Sequence, residues 1–310
     1  NLAMLYKNRG EYGNALRHYE ECLRQRKVVL GENHPDTLSL LQELANIYQI
    51  TGEFMKAEGI AEDCLEKYRQ TLGNNHPKTI QAMNKLAIIF TNAGRHEDAE
   101  HLFFESLDSL SESLGPHHPD TLLAMDILAD HYYHHNEKKK AEFYYQECLN
   151  GRRETLGSMD TLTLESIQKL AMLYQQQQRF HEAEALFMET IDIQRQENGP
   201  DHSDTLQATM MLAMFYQQQQ HPLEAERLFL HCLQTRIALF GSNHPDTQSL
   251  LYTVAVFYIQ QGKYYQAEPL YLEYFNIIER QYGKEHAHTL SIIHEIGKMY
   301  YYNQRYAQSE

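Results

Sequence analysis

Residues 114–121 read LGPHHPDT, and the phrase returns as LGENHPDT at 30–37 and FGSNHPDT at 240–247. Its glycine recurs at 31, 73, 115, 157, 199, 241 and 283, each 42 residues after the last, with no insertion or deletion. Three residues beyond stand His34, His76, His118, Asp160, His202, His244 and His286, and six beyond stand Thr37, Thr79, Thr121, Thr163, Thr205, Thr247 and Thr289. A fixed period of this size is the mark of a repeat array, so dividing 310 residues by an average domain length would mislead.

Moving outward, a leucine and alanine recur as Leu44-Ala45, Leu86-Ala87, Leu128-Ala129, Leu170-Ala171 and Leu212-Ala213, with an aromatic four residues after each leucine, at Tyr48, Phe90, Tyr132, Tyr174 and Tyr216. Ala15, Ala57, Ala99, Ala141, Ala183, Ala225 and Ala267 follow, and four residues later come Tyr19, Ala61, Phe103, Tyr145, Phe187, Phe229 and Tyr271. Apolar spacings of three and four residues describe helix faces. Gly31 fits the residue after a helix, where positive φ costs glycine nothing, and Pro35 fits the first turn of the next, where a missing N–H is harmless. Asp36 adds a carboxylate at the positive end of that helix dipole.

Each repeat therefore reads as two helices; in 31–72 they run from Pro35 to Ile50 and from Glu53 to Leu72, turning at Gly52. Whole repeats span 31–72, 73–114, 115–156, 157–198, 199–240 and 241–282, with partial ones at 1–30 and 283–310. The expectation is one all-α array over 1–310, cut from a longer protein, starting inside a first helix and stopping early in a second one.

The order of leucine-alanine, tyrosine, glycine, alanine and aromatic resembles the tetratricopeptide repeat over the whole chain. The 42-residue length, the HPDT phrases and GKYYQAEPLY at 262–271 look like the kinesin light chain type, which also occurs in nephrocystin-3-like proteins and in the sensor arm of some NTPase switch proteins. The resemblance implies a right-handed superhelical α-solenoid of antiparallel helix pairs, whose first helices line a concave groove for an extended peptide. It further implies a non-catalytic scaffold with a cargo or adaptor role, or alternatively a ligand-sensing regulatory arm of a larger NTPase.

If that register holds, the groove is lined by Gln42 and Asn46, then Asn84 and Asn92, then Asp126, Asp130 and His134, then Gln168, Met172 and Gln175, then Met210, Met214 and Gln217, then Tyr252. Lys7 and Lys298 are the basic residues expected on it. An Asn or Gln amide carries both a donor and an acceptor, and so matches a peptide backbone without demanding a particular side chain. Methionine and tyrosine add adaptable apolar contact. Asp126, Asp130 and His134 stack at four-residue intervals on one helix face, as a subsite for a ligand lysine or arginine or as a solvated face. As metal ligands they converge poorly, being spread over ~12 Å of helix.

Cys22, Cys64, Cys148 and Cys232 share one register position, too far apart in stacked helices for a disulfide, and read as four buried thiols of a reducing, cytoplasmic protein. The six loop histidines lie roughly 8–10 Å apart and cannot share an ion; closing the turn is their expected part. Against 27 Lys and Arg stand 42 Asp and Glu, a formal charge of −15 that argues against nucleic acid or anionic membrane as partner. No apolar run approaches a membrane span, and no phosphate loop, nucleophile elbow or zincin motif is present. No cofactor is expected; the partner is expected to be a protein or peptide, with self-association left open.

Overall fold

The structure, a computed structural model, describes residues 2–303. Those residues form fifteen α-helices and no strand. After α1 (Leu2–Asn8), first helices alternate with second helices: α2 (Tyr12–Val29), α3 (Pro35–Ile50), α4 (Phe54–Leu72), α5 (Pro77–Asn92), α6 (His96–Leu114), α7 (Pro119–His134), α8 (Lys138–Thr155) and α9 (Thr161–Gln176). The series continues with α10 (Phe180–Asn198), α11 (Ser203–Gln218), α12 (Pro222–Phe240), α13 (Pro245–Gln260), α14 (Tyr264–Tyr282) and α15 (Ala287–Tyr302). Helices α3 and α4 match their expected bounds to within one residue. The second helix expected near the chain's end lies outside the described residues.

The turn between repeats is built from the phrase that reveals them. His34 takes extended backbone, and its Nδ1 accepts from the N–H of Asp36 at 3.2 Å, capping α3. His76, His118, His202, His244 and His286 close the same bond. Asp160 closes it with a carboxylate oxygen on the N–H of Leu162 at 2.9 Å. The hydroxyls of Thr37, Thr79, Thr121, Thr205 and Thr289 donate to the glycine carbonyl six residues earlier at 2.7–2.9 Å. Cap and threonine together satisfy backbone groups that a helix end leaves open.

Within a repeat the tight turn needs a left-handed residue. Gly52 and Gly94 supply it with φ of 80°, and Asn136, Gln178 and Gln220 take φ of 58–61° at the same register position. The glutamine runs at 175–178 and 217–220 are therefore repeat turns.

Contacts divide the chain into two compact units, Asn1–Gln178 and Arg179–Glu310, the cut falling between the two helices of repeat 157–198. Within each unit successive helices pack on one another, and a second rung joins neighbouring repeats. Tyr48, Tyr132, Tyr216, Tyr258 and Tyr300 each donate a phenol hydrogen to a glutamate of the preceding second helix: Glu20, Glu100, Glu184, Glu226 and Glu268.

Cys64, Cys148 and Cys232 are buried, and their thiols donate to the carbonyls of Leu38, Leu122 and Leu206. Burial pushes the first up to about 12 and the other two up to about 11. Cys22 corrects the expectation of four buried thiols: it is half-buried, because only the seven-residue α1 stands before its own helix.

One core position that is apolar in the other repeats carries a histidine. Ile47, Ile89, Leu173, Phe215, Phe257 and Met299 fill it in other repeats, whereas repeat 115–156 has His131, 6% exposed. Its ring lies 5.3 Å from that of Phe103, 4.5 Å from His135 and 6.3 Å from His96, with the Thr91 hydroxyl 3.1 Å from Nδ1. Burial first, then His135 and His96, hold its pKa down at about 4, against the pull of Glu100 and Glu137.

Two outcomes follow from the caps and from this histidine. His76→Ala should lower unfolding free energy by about 1 kcal/mol in urea titrations, whereas His76→Asp, repeating the cap of Asp160, should retain it. His131 is lowered in the folded state, so the unfolded chain binds more protons between pH 4 and ~6.5. Its contribution is complete above ~6.5 and lost towards pH 4, by about 3 kcal/mol. Urea midpoints at pH 7 and 4.5 should converge in His131→Leu relative to the parent.

Candidate peptide groove

In the first unit the expected groove residues lie on α3, α5, α7 and α9, and those of α3 and α5 border two adjoining cavities. One, of about 440 Å³, lies between α3 and α5 and gathers Gln42, Asn46, Gln49 and Asn92. The other, of about 490 Å³, lies between α5 and α7 and is reached by Asn84 and Gln81. Lys85 and Ile88 border both. Gln42 is buried at 8% exposure; its Oε1 accepts from Lys85 Nζ at 3.1 Å, while its Nε2 has no partner. Asn84 Oδ1, at the equivalent place one repeat on, is likewise buried and unpartnered.

The acidic face on α7 corrects the sequence reading. Asp126 is buried at 6% exposure, and its Oδ2 accepts from Lys169 Nζ at 2.9 Å and from Arg152 Nη2 at 3.3 Å. Asp130 accepts from Lys169 at 2.8 Å through one oxygen and from the Tyr145 hydroxyl at 2.5 Å through the other. Burial lowers and hydrogen bonds to Asp130 and Asp126 raise the Lys169 ammonium, with the raising effects prevailing. The phenol of Tyr145 is pushed up by burial and by Asp130. A carboxylate this deep requires a cation of its own, and two are present. Both aspartates thus already hold cations of the chain itself, and the buried Asp126 presents no free face to a ligand lysine or arginine. His134 stands apart, exposed, beside Tyr133.

Lys85 and Lys169 also correct the expected poverty of basic residues: both lean from a first helix onto the groove residue of the preceding repeat. Their common register position, 84 residues apart, was the available signal. Arg152 had one too, sharing its position with Arg26 and Arg236; each donates to the carbonyl ten residues on, of Leu162, Asp36 and Asp246 respectively. Gln168 and Met172 lie exposed on α9, Met172 by 45%, and Gln175 follows one turn on.

In the second unit Met214 and Tyr252 are each 40% exposed on α11 and α13, with Met210 partly buried nearby. Gln217 Nε2 donates to Gln260 Oε1 at 2.7 Å, tying α11 to α13. Tyr252 rests on Tyr271 and Tyr274, with ring centroids 5.8 and 5.4 Å away. Met210 stands where the first unit has Asp126, and Arg236 accordingly finds an amide, Gln207 Oε1 at 3.2 Å. Among the described residues no helix is long and apolar enough to cross a membrane, and no three acidic, cysteine or histidine side chains are placed to hold a metal ion.

Helix pairs of fixed length, stacked through a small-residue seam, define a tetratricopeptide repeat solenoid. The chain belongs to the tetratricopeptide repeat family, which matches it over residues 1–70, 39–111, 91–154, 160–236 and 246–310. Its structural neighbours include kinesin light chain-like repeat proteins. The nearly identical repeats of a Podosopora anserina protein named as a kinesin light chain are 25% identical, at a TM-score of 0.58 over 67% of this chain and 98% of that one. BtubC (BKLC) of P. vanneervenii is 20% identical, with a TM-score of 0.59 over 76% of this chain and 94% of its own. A Pyrococcus horikoshii signal transduction ATPase with a tetratricopeptide repeat sensor is 15% identical at a TM-score of 0.57, and this chain, covered to 90%, spans 42% of it. None of the curated proteins compared with the chain matches it.

Asp126→Ala should cost about 3–5 kcal/mol in chemical unfolding, since it leaves the buried Arg152 guanidinium without its carboxylate. Asp192→Ala, which removes only the exposed pair with Arg195, should stay within ~0.5 kcal/mol.

Proposed function

We propose that the chain is a non-catalytic scaffold whose first helices hold an extended segment of a partner protein. The observation that carries this reading is the pair Gln42 Nε2 and Asn84 Oδ1. One is a donor, the other an acceptor; both are buried and unpartnered, and each borders a cavity at the same place in consecutive repeats. A buried polar group without a partner is unfavourable, and a peptide backbone offers a carbonyl for the first and an N–H for the second. The surrounding amides of Asn46, Gln49 and Asn92, with Gln168 and Gln175 farther along, suit the same backbone-directed mode. In the second unit Met210, Met214 and Tyr252 add apolar contact beside Gln217.

The period and the light chain neighbour support an adaptor role in a motor-like assembly, in the cytoplasm, where buried thiols of raised pKa stay reduced. A sensor arm of a larger NTPase would use the same groove. The charge of −15 makes nucleic acid an unsuitable partner.

Random peptides displayed on phage and panned on the chain should return extended ligands. Asn84→Leu should weaken them about fivefold, the loss of one hydrogen bond worth about 1 kcal/mol. Failure to recover any peptide, or binding indifferent to Asn84, Gln168 and Tyr252 alike, would overturn the groove assignment.

A further inference from the structure

One register position departs from the array's own rule, and the cavity between α3 and α5 lies at that departure. Four residues beyond each packing alanine stands a buried ring: Tyr19, Phe103, Tyr145, Phe187, Phe229 or Tyr271. Repeat 31–72 has Ala61 there, and Ala61 lines the cavity. Elsewhere the ring packs on the residue 28 positions later, with Phe103 on His131, Phe187 on Phe215 and Phe229 on Phe257 at centroid distances of 5.3–5.4 Å. The corresponding residue for Ala61 is Ile89, which also lines the cavity. The space is where a side-chain ring is missing.

Repeat 115–156 shows what the surroundings of this position do to a ring. Tyr145 lies there with Lys169 Nζ 5.9 Å from its centroid. Eighty-four residues earlier the same nest is set out with Lys85 for Lys169, Gln42 for Asp126, Asn46 for Asp130, and Ala61 for the ring. Lys169 is tied to two aspartates, whereas Lys85 meets the neutral amide oxygen of Gln42 and pairs with no carboxylate among the described residues.

We propose that this cavity is a socket for a phenylalanine side chain of the bound partner segment, whose ring takes the place that the protein's own rings fill in the other repeats. The inference rests on the peptide-scaffold reading and specifies its anchor. A side chain entering from the groove arrives tip first at Ala45, Ala61, Cys64, Ala82 and Ile89, all buried and apolar, with the Cys64 thiol already donating to the Leu38 carbonyl. A phenol or indole N–H pressed into that floor would lose its water partners without replacement, which favours the plain ring. At the mouth, Gln42 Nε2 and the remaining protons of Lys85 donate to the main-chain carbonyl of the same residue, and the ammonium lies over the ring as Lys169 does over Tyr145.

The test fills the socket from within. Ala61→Phe restores the residue type that the other repeats carry, so the variant should keep its helical circular dichroism and an unfolding midpoint equal to or above the parent's. Phage-displayed random peptides selected on the unmodified chain should share a phenylalanine. Synthetic versions read by fluorescence anisotropy should bind Ala61→Phe at least tenfold more weakly, and peptides with that phenylalanine changed to tyrosine or alanine should bind the parent at least tenfold more weakly. Should Ala61→Phe fail to fold, methyl resonances of Ile88 and Ile89 in the parent, titrated with N-acetyl-phenylalanine methylamide, carry the test; unmoved resonances overturn the socket. Peptides that lose affinity with Asn84→Leu but bind Ala61→Phe normally would overturn the socket and leave the scaffold standing. The absence of any binder would overturn both. A dimer that forms through the parent and dissolves in Ala61→Phe would place a second copy there instead of a partner peptide.

Discussion

Everything periodic in this chain depends on one local hydrogen bond, repeated in every first helix from α3 to α15, from a backbone N–H at the helix start to a side chain two residues earlier. Where that acceptor is His34 or its equivalents, a neutral imidazole nitrogen does the work of the aspartate or serine that usually caps a helix. The bond fixes where the helix begins, the left-handed glycine before it fixes where the previous helix ends, and the threonine hydroxyl ties the two together. With both ends pinned, a residue inserted or removed inside a helix turns the side chains between it and the next cap off their faces. The unbroken 42-residue step is the sequence record of that constraint.

The same pinning explains which features could be read in advance. Helix bounds are set by groups within a few residues of one another, so Pro35, Ile50 and Gly52 announce themselves locally. Core positions follow from helical spacing. Charge pairing in the groove does not: Arg152 reaches Asp126 from 26 residues downstream and Lys169 reaches it from 43, distances at which periodic text says which positions are equivalent but not which side chains lean together. Asp126 and Asp130 therefore read as an open acidic face when they are the closed centre of an ion-pair cluster. Gln42 and Asn84 were placed on the groove by register alone, and their unmet polar atoms become visible only when the neighbouring helices are present.

The two units use one backbone plan with different groove chemistry. Around α7 and α9, acids and cations satisfy each other; around α11 and α13 the same positions hold Met210 and Tyr252, and Arg236 rests on an amide. Buried charge contributes little net stability when compared with well-packed apolar side chains, so the exchange of one for the other is energetically mild. It changes what the surface can recognise far more than how firmly it is folded.

The vacancy beside Ala61 has an energetic consequence of its own. An alanine in place of a buried ring forfeits the packing that the ring would have made. In a compact domain that loss would be shared by a single cooperative core. In a linear array, stability is a sum over units and nearest-neighbour junctions, and the loss stays at the junction of repeats 31–72 and 73–114. Any occupant that fills the space strengthens that junction by mass action. Order along the array would then report on occupancy at one place, with the remaining junctions unchanged.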